Sequence, residues 1–413
     1  MATENKKHIP TLRFPEFQND GEWKIVLLKD FTERIKSKVG NAQLRPISIS
    51  AGIGFVDQKN KFGRDISGNQ YSNYIVLKKG EFAYNKGNSI KYPQGCVYQL
   101  KEFEIVACPN VFVCFRIINN SVCPDFMSAY FASNYHGKQL QQYITSGVRS
   151  NGLLNISAET FLGIKTPLPS PAEQKKIADC LSSLDKYIDA TKRKLELLKE
   201  NKNGLMQRLF PAKGETVPEF RFPKFQNDGE WNYENGNDLY DSIVNKDHNS
   251  DLPILAITQE NGAVPRDDIN YRVVVEKKSI EGYKVVEVGD FIISLRSFQG
   301  GIEYSRYRGL CSPAYIVLRK KHNEICDDFY RHYFKSFQYI QELNRNLEGI
   351  RDGKMVSYKQ FSDIRLPHPS PTEQKMVADC LSSLDETIKS CEDKISALEL
   401  YKKGLMQQLF PKL

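Results

Sequence analysis

The chain contains an internal duplication with a period of about 200 residues. Residues 14–23 read FPEFQNDGEW, and residues 222–231 repeat nine of these ten positions. Two further blocks, residues 169–185 and 204–211, return with few changes at a shift of 200. Solenoid repeats span roughly 20–50 residues, so this period indicates duplication of a whole domain plan.

The interiors of the two copies differ, although their borders are shared. Residues 24–148 and 232–348 show little alignable identity. Any gene duplication leaves such traces. A second interpretation is that the shared frame does one common job while the interiors do two different jobs. Near-identical borders beside strongly diverged interiors favour the second interpretation.

Each shared C-terminal block opens with a helix start signal. Ser170, Pro171 and Glu173 form a capping box with proline at the first helical position, and Ser370 to Glu373 repeat it. In such a box the serine accepts from the third backbone amide and the glutamate reaches back to the cap. Pro211 and Pro411 are expected to end the two helices.

After each cap, apolar residues follow a 4-3-4-3 spacing for about five heptads, which is typical of a coiled-coil seam. A helix of about 38 residues would be roughly 57 Å long. The copies are expected to pair antiparallel about a pseudo-two-fold axis, with one globular head at each end of a rod. The seam positions are Ile177, Leu181, Leu184, Ile188, Thr191, Leu195, Leu198, Lys202, Leu205 and Leu209, and Val377, Leu381, Leu384, Ile388, Cys391, Ile395, Leu398, Lys402, Leu405 and Leu409.

Two seam positions are lysines, Lys202 and Lys402. A polar residue at such a position can fix the register of a coiled coil at some cost in stability. Alternatively, both lysines extend to solvent from a fraying last turn. The sequence leaves these alternatives open.

Charge and composition narrow the class of protein. The formal net charge of +8 favours a polyanionic partner without proving one. No run of about 18 apolar residues predicts a membrane span, and the polar N-terminus lacks a secretory signal. The nine cysteines show no CxxC pairs, which fits reduced thiols in the cytoplasm.

The two interiors are predicted to be mixed α/β heads. Residues 74–77 with 79–84, and residues 285–293, suggest a strand, a turn and a second strand. Residues 111–115 and 314–318 are predicted to be later strands. Residues 126–143 and 328–347 have the apolar and aromatic spacing of helices.

Polar and basic loops occur at matching places in both heads. One follows the predicted strand pair, and another precedes each long helix. Arg, Lys, Asn and Gln side chains can read base edges, while Gly and Ser let the backbone approach phosphates. Singly these residues could be ordinary solvated loop residues, but as a matched set they favour DNA contact. The candidates are Lys86, Asn88, Ser89, Lys91, Tyr92, Arg149 and Asn151 in the first head, and Arg296, Ser297, Gln299, Arg306, Arg308, Arg351 and Lys354 in the second.

Motifs for catalysis are missing from the sequence. It contains no GxxxxGK[ST] or GxGxxG phosphate loop and no Asn/Asp-Pro-Pro-aromatic methyltransferase motif. The six histidines lack HxH or HxxxH ligand spacing. The acidic pairs Asp267–Asp268 and Asp327–Asp328 are interpreted as turn or capping residues, with Asp327 capping a helix that starts at Asp328. No catalytic, cofactor-binding or metal site is predicted.

These features together resemble the specificity subunits of type I restriction–modification systems, over essentially the whole chain. The most specific elements are Pro167–Gln174 with its copy Pro367–Gln374, the heptad helices, and the ending Gly-Leu-Met-Gln-x-Leu-Phe-Pro. The leader of each head is similar to that of Gram-positive members.

The resemblance implies a non-catalytic subunit that recognises double-stranded DNA in the bacterial cytoplasm. Each head would read one half of an asymmetric bipartite site, and the helices would act as spacer and docking surface. Two methyltransferase subunits would supply S-adenosylmethionine-dependent adenine methylation. Two motor/nuclease subunits would supply ATP- and Mg2+-dependent translocation and cleavage. The rod length suits half-sites around one DNA turn apart, roughly 34–36 Å, or somewhat more.

The fold expected is two α/β target-recognition domains joined by two long antiparallel coiled-coil helices with pseudo-two-fold symmetry. The predicted boundaries are 1–165 for the first domain, 166–215 for the central helix and linker, 216–365 for the second domain, and 366–413 for the C-terminal helix. Two other functions stay open at this stage: a metal-dependent nuclease acting alone, and a coiled-coil scaffold that does not bind DNA.

Overall fold

The computed structural model describes residues 8–87, 92–144, 154–249, 251–269, 280–295, 297–345 and 356–411. The chain divides into two compact units. Unit 1 comprises Met1–Thr191 with Lys394–Leu413, and unit 2 comprises Lys192–Asp393. Within the described ranges, no helix combines the length and the apolar character needed to cross a membrane.

Unit 1 is built on a four-stranded antiparallel sheet in the order β2-β9-β6-β7, with three two-stranded pairs, β1-β10, β3-β4 and β5-β8. Short 3-10 turns lie at Pro15–Phe17, Gly68–Asn73 and Gln141–Tyr143. The strands are β1 (Lys24–Leu27), β2 (Thr32–Arg34), β3 (Ile47–Ser50), β4 (Gly54–Asp57), β5 (Ile75–Lys78), β6 (Phe82–Asn85), β7 (Cys96–Gln99), β8 (Ile105–Cys108), β9 (Val113–Ile117) and β10 (Lys165–Leu168). The helices are α1 (Leu28–Phe31), α2 (Gln58–Phe62), α3 (Pro124–Ala132), α4 (Tyr135–Leu140), α5 (Ala158–Leu162) and the start of α6 (Pro171–Leu209).

Unit 2 repeats this topology although its sequence differs. Its four-stranded sheet has the order β12-β19-β16-β17, and its pairs are β11-β20, β13-β14 and β15-β18. Short 3-10 turns lie at Pro223–Phe225 and Arg266–Asp268. The strands are β11 (Asn232–Asn235), β12 (Tyr240–Ile243), β13 (Leu255–Thr258), β14 (Gly262–Pro265), β15 (Lys284–Val286), β16 (Phe291–Ile293), β17 (Glu303–Tyr304), β18 (Gly309–Cys311), β19 (Ile316–Lys320) and β20 (Arg365–His368). The helices are α7 (Gly236–Leu239), α8 (Ser297–Gly300), α9 (Asp327–Tyr333), α10 (Phe337–Arg345), α11 (Tyr358–Ser362) and α12 (Pro371–Leu409).

The predicted strands are present, but their pairing could not be read from local sequence. β5 and β6 follow each other closely, yet β5 pairs with β8 while β6 pairs with β7 and β9. β15 and β16 are separated in the same way. The predicted single helices are each broken in two. In unit 1 the break lies at Asn134, whose φ of 56° is left-handed and interrupts the helix.

Each unit contains half of one long helix beside half of the other. In unit 1, Lys402 forms an ion pair with Asp185, and the Lys394 ammonium lies 5.0 Å from the centre of the Tyr187 ring. Moving along α6 from Asp185 to Tyr187, the contacted residue on the other helix moves back from Lys402 to Lys394. The two helix segments therefore run in opposite directions. In unit 2, Lys202 Nζ lies 2.5 Å from Asp385 Oδ1, and Lys199 Nζ lies 2.9 Å from Glu392 Oε1, which gives the same direction.

The two seam lysines are therefore paired rather than extended to solvent. Lys202 is only 20% exposed and Lys402 is 26% exposed, and each reaches an aspartate on the other helix within its own unit. The seam is otherwise apolar, since Ile177 and Leu181 join the core of unit 1 and Val377 and Leu381 join that of unit 2. Such paired charges restrict which residues can lie opposite each other.

The helix cap differs from the predicted capping box in one respect. Ser170 Oγ accepts from the Glu173 amide at 3.3 Å, as expected. The Glu173 carboxylate does not reach back to the cap, because the Arg13 guanidinium binds it through Nε at 2.8 Å and Nη2 at 2.7 Å. Arg221 binds Glu373 in the same way at 2.7 and 2.8 Å. The leader segment is thereby fastened to the start of the long helix.

The glutamine that follows fastens the head itself. Gln174 Oε1 accepts from the Cys123 amide at 2.9 Å, and its Nε2 donates to the carbonyls of Ser121 and Pro169. In unit 2, Gln374 accepts from the Cys326 amide at 2.9 Å and donates to the Pro369 carbonyl at 2.8 Å. Both glutamines are buried.

The interpretation of Asp327 as a helix cap is wrong. The helix begins at Asp327 itself, and Cys326 occupies the cap position. Asp327 instead accepts a hydrogen bond from Lys320 Nζ at 2.9 Å, and burial raises the pKa of its carboxyl. The Asp267–Asp268 pair lies in a 3-10 turn, as predicted.

Candidate nucleic-acid interface

The first predicted loop of unit 1 connects β6, an inner strand of the four-stranded sheet, to the edge strand β7. Its turn begins with Asn85, whose Oδ1 accepts from the Gly87 amide at 2.8 Å. It ends at Gly95, whose φ of 80° is left-handed and whose added Cβ would lie 2.4 Å from the Asn85 carbonyl oxygen. Only glycine fits there. The two flanks of the loop are therefore fixed by their backbone contacts.

Lys86 links this loop to the second predicted loop of the same unit. Its carbonyl accepts from the Leu154 amide at 2.9 Å, and its ammonium donates to the Ile156 carbonyl at 3.3 Å. Leu154 directly follows the second loop, so the fold brings the flanks of both loops together. Tyr92 is half-buried at the other end of the first loop. Asn88, Ser89, Lys91, Arg149 and Asn151 lie outside the described residues.

The corresponding loop of unit 2 connects β16 and β17 and contains α8. Gln299 is exposed on this short helix. Ser297 is only 1% exposed, and its Oγ accepts from the Ser294 amide at 2.8 Å. The hydroxyl thus closes the turn instead of facing solvent, so a DNA contact at Ser297 would be made by its backbone. Arg296, Arg351 and Lys354 lie outside the described residues.

An ion pair between the half-buried Lys335 and the buried Glu303 holds the unit 2 loop in place. Lys335 Nζ lies 2.5 Å from Glu303 Oε1 and also donates to the Gly300 carbonyl at 2.9 Å. Desolvation raises the pKa of Glu303 to about 7, while the nearby ammonium acts in the opposite direction. At Gly301 an added Cβ would lie 1.9 Å from the Phe334 carbonyl oxygen, so the backbone packs tightly at this point.

A third basic segment in unit 2 follows β17. Arg306, Tyr307 and Arg308 are all exposed. Arg308 Nε lies 3.1 Å from Glu287 Oε1, a surface ion pair that contributes little to stability. Two exposed guanidinium groups flanking an exposed tyrosine can contact phosphates and stack on or bind to bases.

The sequence did not single out the hairpins that lie beside these loops. β3-β4 and β13-β14 each carry a three-residue tip. In unit 1, the Gly52 amide donates to Tyr98 Oη at 2.7 Å, on strand β7. In unit 2, Ala263 forms a β-bridge with Ser305, directly before Arg306. In unit 1, the alternating residues 47–50 (ISIS) followed by Gly-x-Gly at 52–54 form a pattern that would have predicted the hairpin.

Among the described residues, no group of three or more His, Cys, Asp or Glu side chains is placed to hold a metal ion. All nine cysteines are free thiols.

Two mixed α/β units, each anchored to a long helix and each ending in a polar and basic loop cluster, define a two-domain DNA-specificity protein. The chain matches the family described as type I restriction modification DNA specificity domain over residues 20–200 and again over residues 209–400. It belongs to that family and carries two copies of the domain, which confirms the resemblance inferred from the sequence.

Relatives and solved structures agree with this assignment. The chain is 26% identical over 418 residues to a putative type I restriction enzyme MjaX specificity subunit of Methanocaldococcus jannaschii, covering 94% of this chain and 92% of that protein. It is 27% identical over 297 residues to the MjaVIII specificity subunit of the same organism, covering 67% and 68%.

The fold is shared with two solved structures. One is the S subunit of a type I restriction–modification system from M. genitalium, with a TM-score of 0.57, 14% identity, and coverage of 98% of this chain and 99% of that chain. The other comes from a study of assembly and conformational transition in the type I R-M system, with a TM-score of 0.53, 15% identity, and coverage of 95% and 98%.

Proposed function

We propose that this chain directs a type I restriction–modification complex to an asymmetric bipartite DNA site, each unit reading one half. One observation carries the proposal: the specificity domain occurs twice, with the same topology and the same anchors, while the loop residues differ between copies. Different loops on one scaffold are expected to read different bases.

The long helices set the distance between the half-sites in this proposal. Opposite helix directions within each unit, and a Lys–Asp pair in each, support an antiparallel coiled coil with pseudo-two-fold symmetry. The corresponding division of the chain is 1–165, 166–215, 216–365 and 366–413. The exposed helix faces then provide a docking surface for two methyltransferase subunits.

Chemistry is assigned to the partner subunits. Two methyltransferase subunits would bring S-adenosylmethionine and methylate adenine, and two motor/nuclease subunits would use ATP and Mg2+. The assembly would act on double-stranded DNA in the bacterial cytoplasm. Within it, this chain contributes recognition alone.

The proposed DNA contacts keep the loop residues predicted from sequence; the buried hydroxyl of Ser297 holds the loop, and its proposed contact is through the backbone. The other described members are Lys86 and Tyr92 in unit 1, and Gln299, Arg306 and Arg308 in unit 2. The others remain predictions: Asn88, Ser89, Lys91, Arg149, Asn151, Arg296, Arg351 and Lys354.

Mapping adenine methylation tests the proposal directly. Cells carrying this chain with its methyltransferase partner should show one methylated motif made of two unlike halves separated by a fixed gap. A motif that is unsplit or symmetric would contradict it. Cleavage of DNA by the isolated chain with magnesium would favour the lone-nuclease alternative.

The salt dependence of binding tests the contact surface. Each phosphate contact contributes a slope of about −0.9 in log affinity against log salt concentration. The double variant Arg306→Ala/Arg308→Ala should therefore flatten the slope by about 1–2. The matched control Lys213→Ala/Lys224→Ala removes two exposed charges from the same unit, outside both the loops and the long helices, and should leave the slope unchanged. Equal slopes in all three proteins would exclude these arginines from the DNA surface.

A further inference from the structure

Each unit carries a three-residue hairpin tip beside its reading loop, which is the β6–β7 loop of unit 1 and the β16–β17 loop of unit 2. In unit 1, β3 ends at Ser50 and β4 begins at Gly54, so the tip is Ala51, Gly52 and Ile53. In unit 2, the register pairs Thr258 with Gly262, so the tip is residues 259–261. The two tips have equal length and equivalent places in the topology, but they share no residue: one reads AGI and the other QEN.

The unit 1 tip is fixed in position and presents an apolar side chain to solvent. Gly52 and Gly54 have left-handed φ values of 86° and 112°, which glycine alone adopts without strain. Tyr98 Oη holds the tip through the Gly52 amide at 2.7 Å. Ile53 is 76% exposed, so its side chain adds little buried apolar surface to the fold.

The surroundings of this tip favour DNA as the surface that covers Ile53. Tyr98 also forms a hydrogen bond with Tyr92 of the reading loop. The Lys61 ammonium donates to the Ile49 carbonyl, two residues before the tip, at 3.3 Å. It lies close enough to Cys96, the first residue after the loop, to act electrostatically on its thiol. The hairpin that carries this exposed apolar tip therefore contacts both a basic side chain and strand β7, which follows the β6–β7 loop.

The unit 2 tip is held beside the β16–β17 loop by a different set of contacts. Gln259, Glu260 and Asn261 are exposed. Lys335 Nζ donates to the Gln259 carbonyl at 3.3 Å while it holds the reading loop at Gly300. Thr258 Oγ1 accepts from the Asn261 amide at 3.1 Å, which fixes the turn.

We propose that the hairpin tips are a second specificity-determining element, in which Ile53 contacts the C5-methyl group of a thymine and Asn261 recognises an adenine. This inference rests on the proposed function of DNA reading. The major groove presents the thymine methyl as its apolar feature, and adenine offers N6 and N7 to an amide side chain. Tips that differ between units then read different bases in the two halves.

Base analogues test the inference on the unaltered protein. The complex of this chain with its methyltransferase partner is first used to select its site from a random-sequence duplex library. Each thymine of the unit 1 half-site is then replaced by deoxyuridine, which lacks only the methyl group. One position should lose affinity several-fold. The adenine that Asn261 reads should lose about 10-fold when replaced by 7-deazaadenine, because each good amide–adenine pair discriminates by about 1–3 kcal/mol.

Variants identify the residues responsible. With Ile53→Ser, the thymine/uracil difference should vanish at that one position and the unit 2 half-site should be unaffected. The control Ile118→Ser alters an isoleucine that is 57% exposed and follows β9, at the end of the four-stranded sheet away from the β6–β7 loop, and it should keep the difference. Asn261→Ala should relax selection of one adenine. The control Asn237→Ala, which alters an exposed asparagine on α7, should not.

The outcomes separate the two proposals. Failure of the wild-type complex to select any site would overturn the proposed function itself. Selection of a bipartite site with no thymine/uracil difference in the unit 1 half, or with a difference that survives Ile53→Ser, would overturn the role of Ile53 alone. Asn261→Ala behaving like Asn237→Ala would do the same for the unit 2 tip.

Discussion

The buried ion pair at the start of each long helix should be the most sensitive electrostatic contact in its unit. Arg13 and Glu173 side chains are 7% and 1% exposed, and two hydrogen bonds of 2.8 and 2.7 Å join them. Glu173→Gln keeps the volume but leaves the guanidinium without its counter-charge and turns an amide donor towards it. Removing one partner of a buried pair costs about 3–5 kcal/mol of unfolding free energy.

The two tryptophans make this cost measurable one unit at a time. Trp23 is buried in unit 1 and Trp231 in unit 2, and the chain has only these two. In a Trp231→Phe background, Trp23 emission during urea unfolding reports unit 1. Glu173→Gln should lower its midpoint by about 1–2.5 M, given a denaturant slope of about 2–3 kcal/mol/M for a unit of this size. Glu373→Gln, followed by Trp231 in a Trp23→Phe background, should do the same for unit 2.

Two further variants decide whether charge burial is the cause. Lys79 and Glu104 form a surface pair with side chains 53% and 80% exposed, and Glu104→Gln should leave the midpoint unchanged. The double variant Arg13→Met/Glu173→Leu should recover most of the loss, because apolar residues of similar volume can replace a buried pair. A midpoint for Glu173→Gln no lower than that for Glu104→Gln would refute the reasoning.

Three other outcomes are expected. Exchange of residues 24–148 for another head should change one half of the methylated motif and leave the other intact; a change in both halves would contradict separate reading. Insertion of seven residues into both α6 and α12 should lengthen the gap in the methylated motif, and an unchanged gap would remove the spacer role from the helices. Burial lowers the pKa of His136 to about 4. Since this pKa is depressed, the neutral ring stabilises unit 1 above pH 6.5 and loses that contribution as the pH falls, by about 2 kcal/mol at pH 5. His136→Phe should flatten the Trp23-monitored stability profile over this range, whereas His322→Asn, an exposed site, should not.

Local features of the sequence predicted the long helices well. The seam residues repeat at short range, and proline and serine mark the helix start within four positions, so α6 and α12 begin and end close to the predicted residues. The partner of Glu173 was mispredicted because Arg13 lies 160 positions away. The Glu173 carboxylate binds the Arg13 guanidinium through two hydrogen bonds instead of the backbone amide at the helix cap. A short-range sequence pattern cannot identify a partner so far away along the chain.

Strand pairing and site composition were predictable only in part for the same reason. Strand propensity located β5 and β6, but the choice of partner depends on β8 and β9, which lie farther along the chain. Residue type alone suggested Ser297 as a DNA contact, while its burial follows from the fold around Ser294. Ile53 escaped notice because an isoleucine in sequence suggests a core position, and only the structure shows it exposed on a hairpin tip.

The anchors of the shared frame explain how the two heads can differ so widely. Gln174 and Gln374 bind the start of α3 and of α9 through backbone atoms: an amide at Cys123 or Cys326, and the Pro169 or Pro369 carbonyl. Backbone groups are present whatever side chain the position carries. The ion pairs Arg13–Glu173 and Arg221–Glu373 likewise involve only the duplicated frame, since each arginine directly precedes the repeated leader and each glutamate lies in the repeated helix start. Nothing in this attachment constrains the loop and hairpin side chains, so the reading surface can change while the junction to the helix stays the same.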